Sequence, residues 1–221
     1  MEPDNLSLDR YILAQTGKPR PRVCFVSTAC GDSVDYIRRF YQSFRTLDCE
    51  PSHLAVYSGP IGDWREYVLA KDVIYVGGGN TRNLIALWRE WNLDSVIREA
   101  WGRGIVLAGI SAGSICWFEE GVTDSIPGPL TAMKCLGFLK GSNCPHYDGE
   151  TNRRPSYHSL LKAKQIGPGL ACDDGVALHY VGEDLHRIIS SRQNARAYRL
   201  TIDGSEVQEK ELAPDYLGAR A

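Results

Sequence analysis

Fifteen residues constrain this chain more than any others: Gly104 to Phe118, GIVLAGISAGSICWF. Ile105 to Ala108 is a short apolar run of the kind that forms a strand buried on both faces. It leads straight into Gly109-Ile110-Ser111-Ala112-Gly113, and then into an apolar segment long enough for a helix. A serine flanked at two residues' distance by glycines, at a strand-to-helix corner, has the pattern of a nucleophile elbow. Such a turn is so tight that only glycine leaves room for the neighbouring backbone. Ser111 Oγ would face open space, and the Ala112 N–H, near a helix N-terminus, would point at a developing oxyanion. The same residues also suit an ordinary corner with a small polar N-cap, so the chemistry has to be sought in partners elsewhere.

The surroundings of this corner repeat one arrangement. Val23 to Val26 reads as a first strand. Asp32 or Ser33 can cap a helix whose apolar residues Ile37, Phe40, Tyr41, Phe44 and Leu47 recur at helical spacing. His53 to Tyr57 is a second strand, and Trp64 to Leu69 a short helix. Val73 to Val76 is a third strand, running into Gly77-Gly78-Gly79-Asn80-Thr81. One helix then carries Leu84, Leu87, Trp88 and Trp91 on the face assigned to the core, and another spans about Leu93 to Trp101. Alternation this regular implies a doubly wound, mostly parallel α/β sheet flanked by helices. In such sheets the active crevice lies beyond the carboxyl ends of the strands. The glycine loop after Val76 and the elbow after Ala108 should therefore open onto one edge.

The second half reads differently. Pro127, Pro129, Pro145 and Pro155 break residues 121–156 into loops and short strands. From Gly175 on, alternating segments Val176–Val181, Leu185–Ser190, Ala195–Thr201 and Glu206–Leu212 suggest an antiparallel, hairpin-rich C-terminal portion, with turns at Gly182-Glu183 and Asp203-Gly204. A length of 221 residues fits one domain over 1–221, with an N-terminal arm over 1–20 holding at most one short helix and a frayed tail over 214–221.

Composition narrows the partners. A net charge of −2 gives no electrostatic reason to expect nucleic acid or an anionic membrane. No apolar run reaches the ~20 residues of a membrane span, and the polar, acidic start is unlike a signal peptide, so a cytoplasmic location is expected. The seven cysteines, Cys24, Cys30, Cys49, Cys116, Cys135, Cys144 and Cys172, show no metal spacing and read as small buried hydrophobes. Cys116 lies five residues past Ser111, inside the expected helix, which argues against it as the nucleophile. Neither metal nor cofactor is expected. The chain is expected as a monomer or homodimer, two-fold pairing being the commonest symmetric state.

A serine nucleophile needs a base, and the base an orienting acid. Among five histidines, His146 stands out in Asn143-Cys144-Pro145-His146-Tyr147-Asp148, where a proline holds it on a loop at a strand end. Taken alone it reads more readily as a surface-loop imidazole. His53, His158, His179 and His186 fall in expected strands or helix.

Four segments in order, VGGGNT (Val76 to Thr81), GISAGS (Gly109 to Ser114), TDSIP (Thr123 to Pro127) and CPHYDGE (Cys144 to Glu150), resemble peptidase E, the S51 family of serine peptidases. That family includes aspartyl dipeptidases and is related to cyanophycinase. The similarity runs from about Val23 to Tyr198. It implies a fold like the class I glutamine amidotransferases, with Ser111 as nucleophile, His146 as base, and Gly78 or Gly79 joining Ala112 in the oxyanion hole. A family glutamate in a PEG-like turn orients the histidine; Cys172-Asp173-Asp174-Gly175 lies there, which gives Asp174 the role, with Asp124 the alternative carboxylate. In aspartyl dipeptidases an arginine soon after the histidine pairs with the substrate's aspartate. Here Asn152 stands in its place, so Arg153 or Arg154 would have to reach in, with Asn80 as a further substrate contact. The expected activity is dipeptidase or exopeptidase hydrolysis of short peptides. A cyanophycinase-type isopeptidase or amidohydrolase, and a non-catalytic binding module on the same fold, remain open at this point.

Overall fold

Val23 to Val26 cannot face water on either side, and in the computed structural model, which describes residues 2, 4–59 and 62–218, all four are fully buried. They lie in strand β1 (Arg22–Val26), inside a four-stranded sheet ordered β2-β1-β3-β4, with β2 at Glu50–Leu54, β3 at Val73–Val76 and β4 at Val106–Gly109. Every pairing in it is parallel. Successive side chains of a strand point to opposite faces. Val23, Phe25, Val73, Tyr75 and Ala108 pack on one face with Leu13 of α1 (Ser7–Ala14) and with Phe40 and Phe44 of α2 (Val34–Phe44). Phe25 stacks on Phe40 with ring centroids 4.6 Å apart. Cys24, Val26, Ile74 and Val76 point the other way and are equally buried.

Three more helices complete this layer: α3 (Trp64–Leu69), α4 (Thr81–Glu90) and α5 (Leu93–Gly102). Helix α5 packs on both α3 and α4. Trp88 of α4 is fully buried, its indole N–H donating to Thr28 Oγ1 at 3.1 Å. This is the parallel sheet flanked by helices that the alternation predicts. The chain divides into two compact units, Met1–Ser114, which holds this sheet, and Ile115–Ala221.

Two local expectations are corrected in the first unit. Strand β2 starts at Glu50 and stops at Leu54 rather than spanning His53 to Tyr57. Pro51 is tolerated because β2 is an edge strand. Past Leu54, Asp32 Oδ2 accepts the Val56 and Tyr57 N–H groups, each at 2.6 Å, which draws the chain off the ladder. Trp91 is 40% exposed rather than core, because it caps the end of α4 and lies against Gly59. Within residues 1–20, α1 is anchored by buried Leu13, a side chain whose truncation in a packed core costs ~2–5 kcal/mol.

The second unit holds a six-stranded mixed sheet, ordered β12-β11-β8-β7-β5-β6: β5 Phe118–Thr123, β6 Thr131–Lys134, β7 Leu139–Cys144, β8 Gly169–Cys172, β11 Ala197–Asp203 and β12 Glu206–Leu212. Strands β5, β7 and β8 pair in parallel at its centre, and antiparallel neighbours flank them. A separate antiparallel hairpin, β9 (Val176–Val181) with β10 (Asp184–Ser190), turns at Gly182-Glu183 as expected, and β11–β12 supplies the other expected hairpin. Helix α7 (Arg153–Lys162) covers the sheet through Tyr157, Leu160 and Leu161. Pro155 does not break the chain there, because it falls in the first turn of α7, where no intrahelical N–H is needed. Residues 214–218 do not fray: Asp215–Tyr216 (β13) pair with Ile189–Ser190, and the Leu217 N–H donates to Ser190 O at 2.8 Å. The rest of the expected tail, 219–221, lies outside the described residues.

Candidate active site

In the first unit, β3 and β4 are neighbours with Val76 opposite Gly109, so the loops that follow them leave the same edge. Ser111 sits between β4 and α6 (Ala112–Ile115) at φ +55°, a left-handed conformation that costs a non-glycine residue ~1–2 kcal/mol. The close contacts around it explain the glycines. A Cβ on Gly109 would overlap the Gly113 carbonyl, and one on Gly113 would lie 2.7 Å from the Val76 carbonyl carbon. Ser111 O accepts from the Ser114 N–H at 2.9 Å and from Ser114 Oγ at 2.8 Å, which fixes the turn.

The helix after the serine is only four residues long, not the longer one expected. The carbonyls that would continue it are taken: Cys116 O, Trp117 O and Phe118 O accept from the N–H groups of Leu136, of Phe138 and Leu139, and of Gly137. One turn of helix sums few peptide dipoles, so any oxyanion there depends on discrete N–H donors. Cys116 lies beyond α6, fully buried, and burial pushes its thiol well above the ordinary range. Such a thiol is inert.

The glycine loop presses on the serine. A Cβ on Gly78 would be 3.2 Å from Ser111 Cβ and 3.7 Å from its Oγ. The Gly78 N–H already donates to Tyr36 Oη at 3.3 Å. Gly79, at φ +137°, leaves no room for a side chain against Ala29 O, and no described residue accepts from its N–H or from that of Ala112. Asn80 is the N-cap of α4, its Oδ1 accepting from the Asn83 N–H at 2.9 Å.

In the second unit, β7 and β8 run parallel with Cys144 opposite Ala171. The residues just beyond each strand therefore emerge side by side, His146 after β7 and Asp174 after β8. His146 Nδ1 lies 2.6 Å from Asp174 Oδ1. An ionised carboxylate only accepts, so in this pair Nδ1 is the donor. His146 is itself left-handed at φ +57°, and its side chain is 25% exposed. A Cβ on Gly149 would overlap Asp174 Oδ2, so glycine is what admits this carboxylate. Asp148 Oδ1 accepts the Asp174 N–H at 2.8 Å, and Arg192 Nη1 donates to Asp174 O at 2.9 Å.

Asp124, the alternative carboxylate, has another neighbour: it is largely exposed, with Arg153 Nη2 at 3.9 Å. Arg153 does not reach outward. It is buried, donating to Val122 O at 2.8 Å and to Glu150 Oε2 at 2.7 Å. A guanidinium so buried stays paired, and it braces the loop instead. Arg154 is ion-paired with Glu209 and lies over the rings of Tyr147 and Tyr198, 5.3 and 4.9 Å from their centroids. The other histidines have structural partners: His53 Nδ1 with Tyr41 Oη at 2.9 Å, His158 Nε2 with Glu209 at 2.7 Å, and His179 edge-on to His186. Three residues around the dyad escaped the sequence reading. Asp148 and Gly149 lie inside the CPHYDGE segment, which was a signal; Arg192 carries no motif. Among the described residues no group of three or more His, Cys, Asp or Glu side chains could hold a metal, and no helix is long and apolar enough to cross a membrane.

The family model for Peptidase family S51 matches residues 1–188. The chain is 59% identical over 218 residues to an uncharacterized peptidase, YgaJ, of Bacillus subtilis (strain 168), covering 99% of this chain and 94% of that one. It is 28% identical over 160 residues to peptidase E of Shewanella amazonensis, covering 68% of this chain and 66% of that protein. Among solved structures, a peptidase from an acI-B1 actinobacterium superposes with a TM-score of 0.71 at 18% identity, over 95% of this chain and 89% of that one. A candidate peptidase E from Listeria monocytogenes gives 0.55 at 20% identity, over 91% and 93%. At these identities the two structures speak to the fold alone.

Proposed function

The chain belongs to peptidase family S51 and is a peptidase; from that premise we propose that it hydrolyses short peptides, as a dipeptidase or exopeptidase, through a serine acyl-enzyme. The observation that carries the proposal is the strained Ser111, held at φ +55° on a glycine-walled corner. A left-handed non-glycine residue persists only where its surroundings over-determine it, and such residues cluster at functional sites.

Ser111 Oγ attacks the scissile carbonyl carbon while His146 Nε2 takes its proton. The tetrahedral oxyanion is held by the Gly79 and Ala112 N–H groups. Gly79 is preferred to Gly78 as the loop's donor because the Gly78 N–H is already given to Tyr36. Collapse breaks the C–N bond, His146 returns the proton to the leaving amine, and a water deprotonated by His146 then cleaves the ester. Asp174 holds the imidazole with its proton on Nδ1 and stabilises the imidazolium. The 2.6 Å contact to Nδ1 favours Asp174 over Asp124 in this role.

The test is Ser111→Ala, which abolishes turnover and leaves the circular dichroism spectrum unchanged. A fluorophosphonate probe labels Ser111 in native protein and not after denaturation. Full activity of Ser111→Ala would end the proposal. Turnover of a library of dipeptides, isopeptides and p-nitroanilides identifies the substrate, and cleavage confined to isopeptides would replace the dipeptidase reading.

A further inference from the structure

The Asp174 carboxylate lies on a surface turn, with 41% of its side chain exposed. A carboxylate there would ordinarily change rotamer freely, and its backbone would move with the turn. This one is held at both peptide ends. Asp148 accepts the Asp174 N–H at 2.8 Å with one carboxylate oxygen, and its other oxygen takes Arg192 Nη2 at 3.0 Å. The second terminal nitrogen of Arg192 donates to the Asp174 carbonyl at 2.9 Å. The contacts close a ring, Asp174 N–H to Asp148 to Arg192 and back to Asp174 C=O. The planar fork of a guanidinium suits this double engagement, and an ammonium does not.

Two features show that the ring is built into the fold. Gly175, at φ +77°, has no Cβ where one would stand 2.8 Å from Arg192 Cδ, so the arginine stem can cross the turn. Asp148 stands two residues after His146, on the same loop. The loop that carries the imidazole thereby grips the backbone of the residue that hydrogen-bonds it, and the two move together. Arg192 arrives from a third segment, between β10 and β11.

We propose that Asp148 and Arg192 are positioning residues of the hydrolytic site, a clamp that keeps the Asp174 carboxylate on His146 Nδ1. This rests on the reading of His146 as base and Asp174 as its orienter. The clamp adds little to global stability, since its side chains are 34% and 47% exposed and ion pairs at such exposure are weak. Its effect belongs in kcat.

The experiment uses the full-length protein and the substrate found in the library, with Asp148→Ala, Asp148→Asn, Arg192→Gln, Arg192→Lys and the double variant Asp148→Ala/Arg192→Gln. Loss of a supporting partner, or a small misplacement of a reacting group, lowers kcat by ~10–100-fold. That loss is expected for Asp148→Ala and Arg192→Gln, with KM and Tm nearly unchanged. Asp148→Asn loses less, because its amide oxygen still accepts the Asp174 N–H, and Arg192→Lys recovers part of the loss. The double variant is no worse than the poorer single one, as expected of residues acting as a unit. A second readout does not need turnover: the downfield proton resonance of His146 Nδ1–H broadens or disappears in the clamp variants. Unchanged kcat with that resonance intact overturns the clamp, as do losses that follow Tm and multiply in the double variant. If Ser111→Ala stays active while the clamp variants lose the resonance, the catalytic reading falls and the clamp stands. An inactive Ser111→Ala beside normal clamp variants removes the clamp alone.

Discussion

Gly149→Ala separates function from stability in one methyl group. Gly149 is exposed and its φ is not positive, so alanine fits its backbone. On the unfolded side, the substitution restricts the chain and stabilises by ~0.4–1 kcal/mol. On the folded side, the new Cβ would overlap Asp174 Oδ2 and stand 3.1 Å from Asp174 Cγ. Ordinary carbon–oxygen contacts are about 3.3 Å or longer, so the carboxylate has to retreat by roughly 1 Å. A displacement of that size in a reacting constellation costs ~10²-fold, equivalent to about 2.7 kcal/mol of barrier. The turn is surface-exposed, so the retreat disturbs no core packing. The expected outcome is a kcat about 100-fold lower, KM within about twofold, and Tm unchanged or slightly raised. Steady-state kinetics and calorimetry on one preparation decide it. Wild-type kcat in Gly149→Ala would refute the reasoning, because the carboxylate would then be unnecessary where it stands.

Two further predictions concern pH and stability. Asp9 is 2% exposed, burial pushes its carboxyl above the ordinary range, and its Oδ1 has no hydrogen-bond partner among the described residues. A carboxyl raised on folding stabilises only below its unfolded value, about 3.9, and loses that contribution as pH rises through the folded value. Asp9→Asn should therefore raise Tm at neutral pH, the gap closing toward about pH 4; a lower Tm at neutral pH would show that the charge is needed. Glu209 behaves oppositely: burial acts to raise it, but hydrogen bonds from Arg154, Tyr147 and His158 outweigh that and leave it below the ordinary range. Its contribution is complete above the unfolded value, about 4.3, and is lost as pH falls through the lower folded one. Glu209→Gln should thus lower Tm at neutral pH and flatten the acid limb of the Tm–pH curve. An acid limb as steep as in the wild type would argue that other carboxylates carry it.

What could be read from the residues was whatever depends on local periodicity or on a rare turn. Strand β3 and helix α3 fall at the predicted limits because apolar runs and spacing define them without help. Strand β2 was misplaced because its end is set by Asp32, a side chain more than twenty positions away that takes two N–H groups out of the ladder. The short α6 was missed for the same kind of reason, since residues 136–139 capture the carbonyls that a longer helix would have used. The parallel trio β5, β7 and β8 was invisible among prolines, because its pairing is non-local. Of the proposed catalytic residues, Ser111 and His146 lie in recognisable motifs, whereas Asp174 is reached only through the family resemblance, with Asp124 as the alternative. Arg192 lies in no motif, because an arginine eighteen residues past a turn becomes a clamp only through tertiary geometry.

The shorter acid illustrates how these levels combine. Where the family resemblance leads to a glutamate, this chain has aspartate, one methylene shorter, and the missing reach must come from the backbone. The parallel register of β7 with β8 brings the two strand ends together, and the Tyr147 N–H bonds Cys172 O at 3.0 Å to hold them there. The absence of a side chain at Gly149 removes the obstacle that would keep the turn away. Asp148 and Arg192 hold the turn by its backbone N–H and C=O. A long flexible acid on a looser turn would have to lose side-chain entropy each time it met the imidazole. A short acid on a clamped turn has lost that freedom in folding, and its reach is set by the strands rather than by a rotamer.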